Sequence, residues 1–297
     1  MTNKVYLTDI AYLSMYSLEN YECYDSLTFK AMQDIGYSVT EQTWNEPTDW
    51  NNFDYVIIRS TWDYQDHADE FIKVLQEIEN SSATLLNPLS IVQWNINKHY
   101  LKNLESNGVK IVPTIWNDIL TEELLVSAFH DFAKGELIIK PAVSANADDT
   151  YRINHNNQQA FLRENQSKFQ NREFLLQPFM DAITDEGEYS LFYFNGELSH
   201  CILKTPKDND FRVQEEHGGR LKLIEKPEND LLSCGKFCLN AIPEILLYAR
   251  LDFVRYKGSF VLMEAELVEP SLYFNLDPQS PQRFARAFAN FVKQHNQ

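Results

Sequence analysis

The stretch LLYARLDFVRYKGSFVLMEAELVEP, residues 246–270, decides how this chain is read. Two apolar runs flank Lys257-Gly258, and a turn there predicts that they fold back on one another as an antiparallel hairpin. Side chains alternate along a strand, so Arg250 and Asp252 share one face while Leu251 and Phe253 point to the other. On the returning strand Leu262, Glu264 and Glu266 share a face, with Met263, Ala265 and Leu267 opposite. Folding the two together places Asp252 roughly across from Glu264. Three carboxylates and one guanidinium then converge on one face of a hairpin whose other face is apolar. Like charges at cross-strand distance repel unless a cation neutralises them. Oxygen ligands without His or Cys point to a hard ion, Mg²⁺ or Mn²⁺, at Asp252, Glu264 and Glu266. The plain alternative is the solvated face of an edge hairpin, and the strongly apolar opposite face argues against it.

A metal held by few carboxylates usually holds a phosphate as well, so cations that could meet phosphates come next. Lys98 is one candidate. Lys140, at the end of the run LIIK and just before Pro141, is another. The loop VSANADDT, residues 143–150, has small residues that let backbone N–H groups approach an anion, although it contains no glycine. In KTPKDNDFRVQEEHGGR, residues 204–220, Lys204, Arg212 and Arg220 form a basic connection directly before the acidic hairpin. Basic groups opposed to acidic ones suit phosphoryl transfer, where cations stabilise charge on the transferring group. His200 lies mid-strand in ELSHCILK, where a satisfied core or edge histidine is the stronger reading. Neither a Walker motif nor GxSxG nor HExxH occurs, which removes the easy hydrolase readings.

Outward from these clusters the chain reads as three segments. In the first ~90 residues, apolar runs of strand period alternate with runs of helical period. VYLTDI, VTEQTW, FDYVIIRST and TLL read as strands, and SLTFKAMQDIGY and DEFIKVLQEIEN as helices. That alternation predicts a largely parallel sheet covered on both faces. Ligands of such sheets sit beyond the carboxyl ends of strands, where Arg59 and then Trp62-Asp63-Tyr64 fall. A middle segment follows with the helices NKHYLKNLESNGV and EELLVSAFHDFAKG and the strands IVPTIW, ELIIKP and EFLLQPFM. The last segment holds a hairpin about Asn195-Gly196, the helix NDLLSCGKFCLNAI, the acidic hairpin and the helix QRFARAFANFVKQH. The expected class is α/β, passing to α+β in the C-terminal part. The boundaries are 1–95 for a Rossmann-like domain, 96–180 for a central lobe and 181–297 for a C-terminal antiparallel-sheet lobe.

Bulk properties narrow the function. An apolar fraction of 44% excludes disorder. With 43 acidic against 26 basic residues, the net charge of −17 argues against nucleic acid and anionic membranes as partners. The N-terminus carries no export signal and no apolar run reaches the ~20 residues of a membrane span, so a cytoplasmic protein is expected. Cys23, Cys201, Cys234 and Cys238 fit neither a disulfide framework nor a zinc site. A small-molecule partner remains, with self-association left open.

Taken in order, these elements resemble the ATP-grasp superfamily, in its bacterial glutathione synthetase-like branch. RSTWDY, KP-x-x-S, FRVQ, GGR and ELVEP look closest to ligases of the O-ureidoserine cyclo-ligase type. The resemblance implies an ATP-grasp fold whose central lobe is a lid. It implies an ATP- and Mg²⁺-dependent carbon–nitrogen ligase that activates a carboxylate of an amino-acid-like substrate as an acyl phosphate. By that resemblance Lys98, Lys140, Ser144 and Lys204 would meet the nucleotide, with Gln177, Pro178 and Phe179 at the adenine and Glu186 or Glu188 at the ribose. Arg212, Arg220 and Arg250 would serve the transferring group, and Arg59, Asp63 and His200 the substrate. Glu266 stands where the family has Asn, a departure that adds negative charge at one metal position. The alternative is an ATP-grasp-like nucleotide-binding module, regulatory or scaffolding, without turnover.

Overall fold

Hydrophobic period and turn chemistry sort the chain into three sheets, seen here in a computed structural model that describes residues 8–144, 149–208 and 210–295. The first sheet is built from β1 (Thr8–Ser14), α1 (Phe29–Asp34), β2 (Tyr37–Thr43), β3 (Tyr55–Ser60), α2 (Ala68–Glu79) and β4 (Thr84–Leu86). Its strands run parallel in the order β2-β1-β3-β4. The start of the expected strand VYLTDI lies outside the described residues. Val56, Ile57 and Ile58 of β3 are fully buried, as a strand covered on both faces requires. On α2, Phe71, Leu75 and Ile78 recur at helical spacing and face inward, while Asp69 and Glu70 complement the N-terminal end of the helix dipole.

Two short helices follow, α3 (Leu89–Asn95) and α4 (Tyr100–Ser106). The middle sheet comprises β5 (Ile115–Ile119), α5 (Glu122–Phe132), β6 (Glu136–Pro141), β7 (Tyr151–Asn154), α6 (Gln158–Asn165) and β8 (Gln170–Pro178), antiparallel in the order β5-β8-β6-β7. The side chain of Thr121 caps α5 by accepting from the Leu124 N–H at 3.1 Å.

After the single turn α7 (Ala182–Asp185), the third sheet is assembled from β9 (Glu188–Phe194), β10 (Glu197–Thr205), β11 (Arg220–Leu223), α8 (Asn229–Ala241), β12 (Tyr248–Tyr256) and β13 (Ser259–Glu266). Its order is β11-β10-β9-β12-β13, antiparallel throughout. Both hairpin turns place a non-glycine residue and then a glycine at positive φ: Asn195 (47°) and Gly196 (79°), and Lys257 (49°) and Gly258 (79°). Such turns match the twist of the strands they join. The register of the acidic hairpin pairs Arg250 with Glu266 and Asp252 with Glu264.

Packing crosses the segment boundaries read from sequence. Tyr100, Leu101 and Leu104 of α4 share a core with Leu251, Leu262 and Ala265, so the stretch bearing Lys98 is fastened to the third sheet rather than the middle one. The Val112 N–H donates to the Leu262 carbonyl at 3.0 Å, extending that attachment. The final helix, α9 (Ser280–His295), puts Phe284 and Phe288 into a core shared with Ile10 and Ile57 of the first sheet and Phe192 and Phe194 of the third. The middle sheet keeps a core of its own, with Leu125, Phe129, Leu137, Ile139 and Phe174. Among the described residues, no helix is long and apolar enough to cross a membrane.

Candidate active site

A cavity of about 230 Å³ lies between β6 and β8 of the middle sheet and the β12–β13 hairpin, and reaches the edge of the first sheet. Its polar wall is a chain of alternating charges. Buried Lys98 holds its ammonium 3.4 Å from Glu264 and donates to the Ser144 carbonyl at 2.5 Å. Lys140 closes β6 on the same cavity, and burial lowers its ammonium below the ordinary lysine range against the pull of Glu264. Burial by itself would raise Glu264, but Lys98 and then Lys140 outweigh it and hold the carboxyl down.

Lys204, reaching in from β10, stands 2.5 Å from Glu188 and 3.3 Å from Asp252. Burial would lower Lys204, yet these two carboxylates push it up. Asp252 also accepts from the Ser190 hydroxyl at 2.5 Å and from Arg250 at 3.1 Å. Burial opposes its charge, and Arg250 with Lys204 keeps it ionised all the same. Arg250 forks, pairing with Glu266 as well. Burial nonetheless raises Glu266 to about 7 and Glu269 to about 8, with neighbouring carboxylates adding to both. Asp252 is nearly sealed off, at 4% side-chain exposure, while Glu264 and Glu266 present 32% and 31%.

The opposite end is apolar. Ile138, Phe179, Met180, Phe211 and Met263 form a slot bordered by Gln177 and Pro178. Arg212 lies along the cavity with its guanidinium on Asp210 at 3.0 Å. Its loop closes tightly: the Gly219 N–H donates to the Gln214 carbonyl at 2.9 Å, and a Cβ at Gly219 would stand 2.0 Å from the Val213 carbonyl oxygen. An apolar slot continuous with a lysine-lined, carboxylate-bearing wall has room for a planar base at one end and a polyanion along the other.

Residues 110–256 match the family model described as prokaryotic glutathione synthetase, ATP-grasp domain. This chain belongs to the ATP-grasp superfamily. Residues 10–87 of the ATP-grasp chain match a second model, the N-terminal domain of D-cycloserine synthetase DcsG. The cycloserine biosynthesis protein DcsG of Streptomyces lavendulae is 26% identical over 283 residues, covering 89% of this chain and 92% of its own length. The crystal structure of D-cycloserine synthetase DcsG superposes with a TM-score of 0.83 at 23% identity, covering 96% and 99% of the two chains. A D-alanine–D-alanine ligase from Bacillus anthracis gives 0.68 at 13% identity over 98% and 100%.

Within this ATP-grasp fold the cavity gathers Lys98, Lys140, Ser144, Gln177, Pro178, Phe179, Glu188, Lys204, Arg212, Arg250, Asp252, Glu264 and Glu266. Other expected residues point elsewhere. Arg59, 1% exposed, forms a buried ion pair with Asp25 at 2.8 Å and donates to the Pro270 carbonyl at 3.0 Å. Asp63 accepts from the Trp44 indole at 2.7 Å. His200 stacks on Phe192 at 4.3 Å and donates to the Leu272 carbonyl at 3.1 Å, while burial lowers it to about 4 and keeps it neutral. Glu186 is taken by Arg255 at 3.0 Å, which leaves Glu188 as the acid facing the cavity. Arg220 pairs with Asp208 at 2.9 Å on the open surface. None of these five side chains is part of the cavity lining, and each is engaged by a partner outside it, so the substrate, ribose and transfer roles expected of them gain no support from the cavity's geometry.

The sequence assigns no role to Tyr21 or Glu269 and places Trp62 and Tyr64 only at the ligand end of the first sheet; all four line the cavity. The signal for Trp62 and Tyr64 was their place after β3. For Glu269 it was adjacency to Pro270 beyond the acidic strand. The carbonyls of this last segment are caught one after another. Tyr248 lies 2.7 Å from the Val268 oxygen, Trp62 donates to Glu269 at 2.9 Å, Arg59 to Pro270 at 3.0 Å, and Arg250 to Ser271 at 3.4 Å. His200 holds the next, Leu272.

Among the described residues, no group of three His, Cys, Asp or Glu side chains is arranged as a ready metal site. The donors suit magnesium in kind, being carboxylates that reach open cavity space at Glu264 and Glu266. Asp252 is instead the anchor of Arg250 and Lys204.

Proposed function

We propose that this ATP-grasp ligase activates the carboxylate of an amino-acid substrate as an acyl phosphate, which a nitrogen nucleophile then displaces, closing an amide or a ring. The observation carrying the reading is the Lys98–Glu264–Lys140 cluster facing a cavity whose far end is an apolar slot. The two DcsG relatives, named for cycloserine biosynthesis and synthesis, favour an O-ureidoserine-like substrate and a ring as product.

In this reading Ile138, Met180 and Met263 sandwich the adenine, and Glu188 meets the ribose. Lys98 and Lys140 take the phosphates, and Lys204 fixes Glu188 and Asp252 beside them. Burial weakens the hold of Lys140 on its proton, and a phosphate beside it would offset that effect. Glu264 and Glu266 would hold magnesium carried in with the nucleotide, an ion that needs few protein ligands when phosphates supply the rest. Bound there, the ion would neutralise charge on the phosphate oxygens. Arg212 stabilises the transferring phosphoryl group, and Arg250 offsets the extra negative charge that Glu266 introduces. The middle lobe, with its separate core, shields the acyl phosphate from water. An ATP-consuming enzyme with free thiols fits the cytoplasm.

The test is ADP release from Mg-ATP with a panel of serine, alanine and O-ureidoserine in both configurations. Release that requires both magnesium and one of these amino acids is expected. A thermal shift with Mg-ATP but no release with any of them would leave a nucleotide-binding module and remove the ligase.

A further inference from the structure

The carboxylates sunk into the cavity wall are not equivalent. Glu188 and Asp252 meet Lys204, Asp252 and Glu266 meet Arg250, and Glu264 meets Lys98. Glu269 differs: among the described residues no lysine, arginine or histidine nitrogen stands within 4.0 Å of its carboxylate, although it lines the same cavity. What faces it is aromatic. The Tyr64 hydroxyl meets its carboxyl, the Trp62 indole donates to its backbone carbonyl at 2.9 Å, and the rings of Tyr21 and Trp62 lie 5.4 Å apart. The carboxylate is also held in place, because the carbonyls from Val268 to Leu272 are each engaged by a side chain of the fold.

A half-buried carboxyl group that lines a cavity and has no cation paired to it is suited to an organic cation that enters from solution. The aromatic residues here add no further carboxylate for magnesium, which separates this place from the phosphate end. We propose that Glu269, with the wall formed by Tyr21, Trp62 and Tyr64, is the subsite for the protonated amino group of the amino-acid substrate. The proposal rests on the ligase reading above and names the residue that makes it selective for an α-ammonium. Holding that group at Glu269 directs the substrate toward Glu264 and Arg212, where the phosphoryl group is transferred. A substrate without the ammonium leaves the Glu269 carboxyl without that partner.

The experiment compares O-ureidoserine with 3-(ureidooxy)propanoate, the same molecule without its amino group, in wild type and in Glu269→Gln. Steady-state ADP release is measured as a function of each acid, of ATP and of Mg²⁺, and the melting temperature reports folding. In wild type the KM for the amino-free acid is expected to be roughly 30-fold higher, the scale of a hydrogen bond to a charged group. Glu269→Gln is expected to raise the KM for O-ureidoserine by a similar factor and to erase the preference, with the ATP and Mg²⁺ dependences within twofold of wild type. Equal KM values for the two acids in wild type overturn the proposal, and this arm needs no variant. So does a Glu269→Gln protein whose Mg²⁺ dependence moves while its KM for O-ureidoserine does not. In both cases turnover persists. Wild type that binds Mg-ATP and turns over nothing in the panel is the separate failure of the ligase reading, and it removes this subsite with it.

Discussion

Lys98 and Glu264 stand 3.4 Å apart although they belong to stretches that the sequence assigns to different segments. The contact exists because α4 packs into the core of the third sheet, which carries the lysine to the hairpin. It makes Glu264 the point where the lysines and the acidic strand meet, since Lys140 also lowers its proton affinity. Glu264→Gln keeps the shape and removes the charge. Turnover is expected to fall on the order of 100-fold or more, as for the loss of one group that stabilises the reacting charge, with the melting temperature nearly unchanged. ADP release at saturating ATP and Mg²⁺ checks this, and near-normal turnover would remove Glu264 from the site.

Among the described residues the charged partner of Arg212 is its neighbour Asp210, and at 39% exposure its side chain is available to an incoming group. Arg212→Ala is expected to lower kcat far more than it raises the KM for ATP. A change confined to the KM would assign it to ground-state binding.

The Arg212 loop depends on a residue outside the cavity lining. Gly219→Ala places a methyl group 2.0 Å from the Val213 carbonyl oxygen, and a backbone clash of that size has to be relieved by moving the loop. A displacement of about 1 Å near the reacting group can cost on the order of 100-fold in rate. A large fall in kcat with little loss of melting temperature is expected, and unchanged kcat would mean that the loop does not position the arginine.

Arg59 yields the opposite pattern. Truncating it leaves Asp25 buried without its partner, and breaking such a pair costs about 3–5 kcal/mol. Arg59→Ala should therefore unfold at lower denaturant concentration by that amount. A variant of normal stability with a raised substrate KM would restore the substrate role read from sequence.

His200 makes stability fall in acid. Its folded value, about 4, lies below the ordinary 6.5, so between these values the unfolded chain binds a proton that the folded one refuses. The stabilisation is complete above about pH 6.5 and is lost as pH falls toward 4, by about 3 kcal/mol. His200→Gln removes that titration, so the difference between wild type and variant should shrink by this amount over the interval. Parallel curves from denaturant unfolding at each pH would contradict it.

The hairpin register was legible because period two and a Lys-Gly turn leave one way to bring Asp252 opposite Glu264. The hairpin at Asn195-Gly196 was legible for the same reason. The partners of isolated charges were not. Arg59 at the end of a strand reads alike whether it awaits a ligand or Asp25, and only tertiary packing distinguishes the two. Glu186 and Glu188 are two residues apart, and the choice between them turns on Arg255, 69 residues further on. β7 escaped notice because a polar four-residue strand carries too little pattern, and α3 because its apolar residues show no long helical period. Glu269 was passed over because its significance is a missing counter-charge, which no local pattern records.

The carbonyls from Val268 to Leu272 are gripped by residues from β10, β12 and the first sheet. The N-terminal sheet is therefore not an exchangeable attachment. A chimera that imports this sheet from a relative without Arg59 and Trp62 would release the very backbone on which Glu269 is mounted, even with every residue of the C-terminal lobe left in place.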